Sequence, residues 1–109
     1  MRVKAADPFY RSKRWLGLRR AALARDGWMC QECRRFGKRV DAVAVHHVFP
    51  RNEFPEFQWA GWNLASLCKG CHDAMHDRNT NALTARGVEL LKRTARRRDV
   101  GVPLRYRDE

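Results

Sequence analysis

Residues 68–76 read CKGCHDAMH: a Cys-x-x-Cys pair runs directly into two histidines spaced four apart. A second pair, CQEC, stands at residues 30–33. Each pair predicts a tight knuckle that offers two thiolates to one ion. Four soft sulfur ligands in a tetrahedron favour zinc. The alternative is four free or redox-active thiols. Paired spacing in a chain with no visible export segment favours the metal. A zinc on Cys30, Cys33, Cys68 and Cys71 would tie the two knuckles together. That cross-link matters in a chain of 109 residues, which supports one domain with a modest core.

The histidines fall between residues 46 and 76, and Asn63 lies among them. On a helix His72 and His76 would share one face a turn apart, a familiar way to hold a divalent ion. Cys71 would then point about 100° round the helix from His72, leaving the cysteine to the zinc and the histidine to a separate site. His46 and His47 sit in VAVHHVFP, residues 43–50, which reads as a valine-rich strand. Strand neighbours point to opposite faces, so the two imidazoles are expected to do different jobs. His46 is assigned to the ion with His72. His47 is assigned to the side where substrate and water would lie, as the group that moves a proton, since imidazole titrates close to neutral pH. Each histidine alone would more often be an ordinary surface or core residue; the cluster points to a second metal site.

Outward from these motifs, Ser12 is expected to cap a helix to about Arg25, with Trp15, Leu18, Ala22 and Leu23 on one face and Asp26-Gly27 at its end. Residues 34–39 read as a basic turn, about 40–48 as a strand, 49–62 as an ordered surface loop, and NLASLC as a second short strand. HDAMHD should begin a helix of about two turns. NTNALT breaks it, and a last helix spans about 85–98 with Val88, Leu91 and Ala95 inward. One domain over residues 1–109 is expected, with its core at about 9–80 and a loose tail at 99–109.

The formal net charge is +11 and is unevenly placed. Residues 1–39 carry 12 Lys/Arg against 3 Asp/Glu, residues 40–83 carry 3 against 5, and residues 84–109 carry 8 against 4. Two basic arms around a near-neutral middle predict a polyanionic partner. No apolar run suits a signal peptide or a membrane span, so an intracellular protein is expected.

Taken together, VHHVFP, Asn63 in WNLASLC, and CKGCHDAMH resemble the HNH endonucleases of the zinc-knuckle, ββα-metal type, above all the small phage and bacterial ones. FYRSKRWLGLRRAALARDGWMCQEC resembles the segment that precedes the motif in that group. The resemblance covers about residues 9–80. It implies a small α+β metal-stabilised domain: a ββα-metal, treble-clef-like core with a four-cysteine zinc and flanking N- and C-terminal helices. It also implies a DNA endonuclease in the cytoplasm of a bacterium or phage-infected cell. His47 would activate water against the scissile phosphate, and Asn63 would hold backbone near the histidine strand. His46 and His72 would hold one Mg²⁺-like ion, and the products would carry 5′-phosphate and 3′-hydroxyl ends. Many members carry aspartate where this chain has His46, which widens the expected ion from Mg²⁺ toward Mn²⁺, Ni²⁺ or Zn²⁺. Many also lack a histidine at His76, whose role stays open between a third ligand, a phosphate contact and a surface group.

DNA would be gripped through phosphates by Arg14, Arg20, Arg34, Arg35, Lys38 and Arg39 and by Arg93, Arg96, Arg97 and Arg98. Nothing resembles a base-reading helix, so weak sequence preference is expected. A monomer with one active centre should nick. Two other readings are a non-catalytic zinc-stabilised nucleic-acid-binding module and an accessory nuclease of phage DNA packaging acting with terminase. A mobile-element or toxin nuclease is less favoured, because no added specificity or export domain is visible.

Overall fold

The computed structural model describes residues 7–107. The ends of the expected domain, residues 1–6 and 108–109, lie outside them. The chain enters through a single turn, α1 (Pro8–Arg11), whose N-terminus is capped by the Asp7 carboxylate. Ser12 then caps α2 (Lys13–Arg25): its hydroxyl accepts the Trp15 amide at 3.1 Å. Asp26 and Gly27 end the helix, Gly27 with a left-handed φ of 65° that costs a glycine little. Trp15, Ala22 and Leu23 are buried, and Leu18 packs half-buried beside them.

The sheet has two antiparallel strands, β1 (Ala44–His47) and β2 (Leu64–Leu67), in a register that sets His46 opposite Ala65 and His47 opposite Leu64. The strand expected over about 40–48 is therefore shorter. Upstream of it Asp41 pairs only with Met29, in an isolated bridge.

Both knuckles are single helical turns, α3 (Gln31–Arg35) and α4 (Lys69–Asp73). Each is capped by its own first cysteine: Cys30 Sγ accepts from the Cys33 amide and Cys68 Sγ from the Cys71 amide. The two-turn helix expected from HDAMHD is not formed. The helix starts earlier and stops at Asp73, so His76 lies beyond it, bridged to Leu83. Tertiary packing breaks it. Met75 is wholly buried, and its carbonyl accepts the Thr84 amide.

The last helix, α5 (Ala85–Arg98), is capped by Thr84 and closes at Asp99 in the left-handed region. Its buried face is Gly87, Leu90, Leu91, Thr94 and Ala95, while Val88 is only half-buried, a shift from the expected stripe. Gly87 allows α5 to lie against the turn before it, because a Cβ there would stand 2.5 Å from the Met75 carbonyl oxygen. The main core joins Val48, Phe49, Leu67, Met75, Leu90 and Leu91. The tail expected to be loose packs instead as far as Arg107. Val100, Val102 and Tyr106 reach the core, and the Tyr106 hydroxyl donates to Glu53 at 3.0 Å. Among the described residues no helix is long and apolar enough to cross a membrane.

Candidate active site and metal centre

The four cysteines converge between α3 and α4, with their sulfurs all within 4.8 Å of one another. Cys33 Sγ lies 3.9 Å from Cys68 Sγ and 3.8 Å from Cys71 Sγ. A tetrahedron of 2.3 Å zinc–sulfur bonds has edges of about 3.8 Å, whereas a disulfide needs about 2.05 Å. The cluster is therefore shaped to hold a metal ion. Its thiols do not titrate alike. The backbone amide of Cys71 draws Cys68 down to about 7, while burial pushes Cys71 up to about 12.

One residue after Cys71 the chain turns to a second centre. His72 and His76 face His46 across the end of β1, with ring centres 5.7 and 5.3 Å from His46 and 6.5 Å from each other. Helical spacing is not what brings His76 there, since it stands past α4. His46 is 2% exposed, and its Nε2 is buried with no hydrogen-bond partner. Burial first, then the neighbouring imidazoles, lower its pKa to about 3, so it is neutral with a lone pair to offer. Burial also lowers His72. Among the described residues the cysteines form the one group of three or more His, Cys, Asp or Glu side chains whose ligand atoms all lie within 4.8 Å of one another; the three imidazoles together do not meet that spacing.

His47 faces the other side of the strand. It is 7% exposed and stacks on Trp15 at 5.1 Å, with Phe9 and Tyr10 beside it. Its Nε2 lies 3.1 Å from the carbonyl oxygen of Gln58. A carbonyl only accepts, so Nε2 carries the proton and Nδ1 keeps the lone pair. Burial lowers its pKa, the Gln58 contact opposes this, and the Arg51 charge lowers it further. The sequence expectation of two separate sides is corrected in one respect. Both imidazoles line the same open cleft of about 620 Å³, together with Tyr10, Arg19, Arg51, His72 and His76.

Asn63 is fully buried and clamps the loop after β1. Its Oδ1 accepts the Phe49 amide at 2.7 Å, and its Nδ2 donates to the carbonyls of Phe49 at 3.1 Å and Phe57 at 3.3 Å. Its own carbonyl accepts the Val48 amide, one residue past His47.

The cations expected to meet DNA are spread more widely. None of them lines the histidine cleft. Arg14 lies over Trp59, and Arg20, Arg34, Arg39 and Arg96 are exposed. Arg35 and Lys38 border a cleft beside Cys33 and Cys71. Arg93 is a correction: it is half-buried and donates to the buried Glu32 at 2.9 Å, a structural ion pair. The two arginines that do line the histidine cleft, Arg19 and Arg51, were not singled out from the sequence. Arg19 stands one turn beyond Trp15 on α2, a spacing that could have flagged it. Arg51 packs over Phe9 and Tyr10 and is ion-paired with Asp7.

A two-stranded hairpin, a cysteine-bound knuckle and a histidine cluster at the strand end define a ββα-metal nuclease class. A family model described as HNH endonuclease matches residues 30–78. The crystal structure of the deep-sea thermophilic bacteriophage GVE2 HNH endonuclease with manganese ion aligns with a TM-score of 0.59 and 38% identity, over 61% of this chain and 72% of that one. No curated protein matches the chain. The chain belongs to the HNH endonuclease family.

Proposed function

We propose that the histidine cleft hydrolyses DNA phosphodiesters, with a divalent cation held by His46 and His72 and with His76 as a third ligand. The observation that carries this reading is the buried, unpartnered Nε2 of His46 beside the other two rings. A polar atom so placed wants a partner, and neutral imidazole nitrogens suit Mn²⁺, Ni²⁺ or Zn²⁺ better than Mg²⁺. His76 Nδ1 sits 3.2 Å from the Asn81 carbonyl, which fixes its proton there and leaves Nε2 for a ligand role. When bound, the cation supplies charge neutralisation at the phosphate and the leaving 3′ oxygen.

His47 acts as general base. Gln58 holds the ring with Nδ1 open, and Nδ1 takes a proton from water as the oxygen attacks phosphorus. The bond from phosphorus to the 3′ oxygen breaks, that oxygen is protonated from solvent, and the ends are 5′-phosphate and 3′-hydroxyl. Asn63 keeps the loop behind His47 in place. Arg19 and Arg51 add positive charge where the phosphate would lie. The cysteine cluster holds structural zinc. One centre per chain cuts one strand, so the product is a nick, with weak sequence preference because phosphate contacts read no sequence.

A supercoiled-plasmid assay with Mg²⁺ or Mn²⁺ tests the reading. Wild type should convert supercoiled DNA to the open circle, and His47→Ala should lose most of that rate. A wild type that leaves DNA intact in every divalent ion tried defeats it.

A further inference from the structure

A second cleft, of about 400 Å³, opens between β2, the first knuckle and the C-terminal half of α5. It shares no lining residue with the histidine cleft. Its α5 wall carries unmet hydrogen-bond donors. Thr94 is 2% exposed and its hydroxyl has no partner. Arg93 spends one edge on Glu32, but its Nε makes no hydrogen bond and stands 3.6 Å from Glu89, within ion-pair range only. Arg97 and Arg98 are exposed and form no ion pair among the described residues. Arg98 lies 5.7 Å from the ring centre of Trp62, which also lines the cleft.

These groups ask for one kind of ligand. Unpartnered buried donors are rare in native proteins and point to something that supplies acceptors. Guanidinium groups match phosphate oxygens in paired hydrogen bonds. An aromatic ring beside a basic groove is how single-stranded nucleic acid is commonly held, phosphate on cation and base on ring. An acidic peptide would satisfy the charge but has no use for the ring.

We propose that this cleft is a second nucleic-acid site, binding a phosphodiester of a single-stranded segment distinct from the one in the histidine cleft. It rests on the reading that the protein acts on DNA and adds where a further strand is held. Thr94 meets the phosphate from the helix side, Arg97 and Arg98 clasp it from solvent, and Trp62 takes a base, while Arg93 stays with Glu32.

The test is fluorescence anisotropy with a short labelled single strand, in buffer without added divalent cation so that the probe stays whole. Arg97→Glu with Arg98→Glu should weaken binding at least about tenfold and flatten the log–log salt slope by roughly 1.4, two contacts' worth for single strands. Thr94→Val, of the same shape, should weaken binding roughly fivefold, the loss of one hydrogen bond, without lowering the melting temperature. Wild-type affinity and slope in both variants overturn the proposal. Competition by polyglutamate as effective as by unlabelled oligonucleotide overturns it in favour of an acidic peptide, and equal competition by inorganic phosphate overturns it in favour of a free anion. Binding is read without cleavage, so a protein that binds here but never cuts fails only the nuclease reading.

Discussion

Replacing Asn63 with alanine should unhinge the loop behind the base. The side chain makes three hydrogen bonds, to both backbone groups of Phe49 and to the Phe57 carbonyl. Phe49 is fully buried, so no water replaces the lost partners. Leaving a buried donor or acceptor unpaired costs about 1–3 kcal/mol, and the longer Phe57 contact adds little, so Asn63→Ala should lose about 3 kcal/mol. For a domain of this size that is a fall in melting temperature of roughly 12–24 °C. Asn63→Asp separates shape from donation. Its oxygen can still accept the Phe49 amide, but a charged carboxylate would face two carbonyl oxygens. Its pKa in the folded state must therefore rise above the unfolded value of about 3.9. A raised carboxyl pKa means the folded state holds the extra proton, so stability falls as pH rises above about 4. The gap to wild type should be smaller at pH 5 than at pH 8. Thermal melts at both pH values, with plasmid nicking below the melting range, check this. If Asn63→Ala melts within a few degrees of wild type and nicks at its rate, the clamp is not what positions this loop.

Other perturbations probe other joints. Metal analysis should find one tightly held zinc per chain, and a strong chelator should unfold the protein, since structural zinc contributes on the order of 10 kcal/mol to small domains. Arg93→Leu should destabilise by about 1–3 kcal/mol in urea melts, because the buried Glu32 is left with the longer Arg35 contact at 3.4 Å, and Glu32→Leu on top should restore most of the loss. Gly87→Ala should destabilise by about 1–3 kcal/mol despite better helix propensity, because its Cβ would meet the Met75 carbonyl at 2.5 Å and Leu83 at 2.8 Å; the melting curve reads this directly.

Local chemistry was the legible part of the sequence. Ser12 and the two Cys-x-x-Cys pairs carry their meaning in spacing a few residues long, and each caps a helix where such spacing predicts a turn. What failed depended on contacts distant in sequence. The helix through His76 was expected from a four-residue repeat, yet the buried Met75 and the bridge from His76 to Leu83 end it at Asp73. The pull of Val100, Val102 and Tyr106 onto the core was hidden in a segment that looked like a charged tail. The basic arms were legible as charge and not as surface. Nothing in the sequence near Arg93 announces Glu32, and Arg51 looked like one more cation in a loop until Phe9 and Tyr10 were seen beneath it.

The two centres are joined more tightly than two motifs on one chain need be. α4 is five residues long, too short to hold its shape alone. It carries Cys71 on the sulfur cluster and His72, the next residue, on the histidine cleft. Upstream, Cys68 directly follows β2, whose Leu67 pairs with Ala44, two residues before His46. Whatever tightens the cysteines therefore sets both walls of the cleft, the helix that presents His72 and the strand pair that presents His46. Because so short a helix takes its position from its anchors, the sulfur cluster, with the buried Met75 just beyond it, is part of the geometry on which any chemistry at the imidazoles depends.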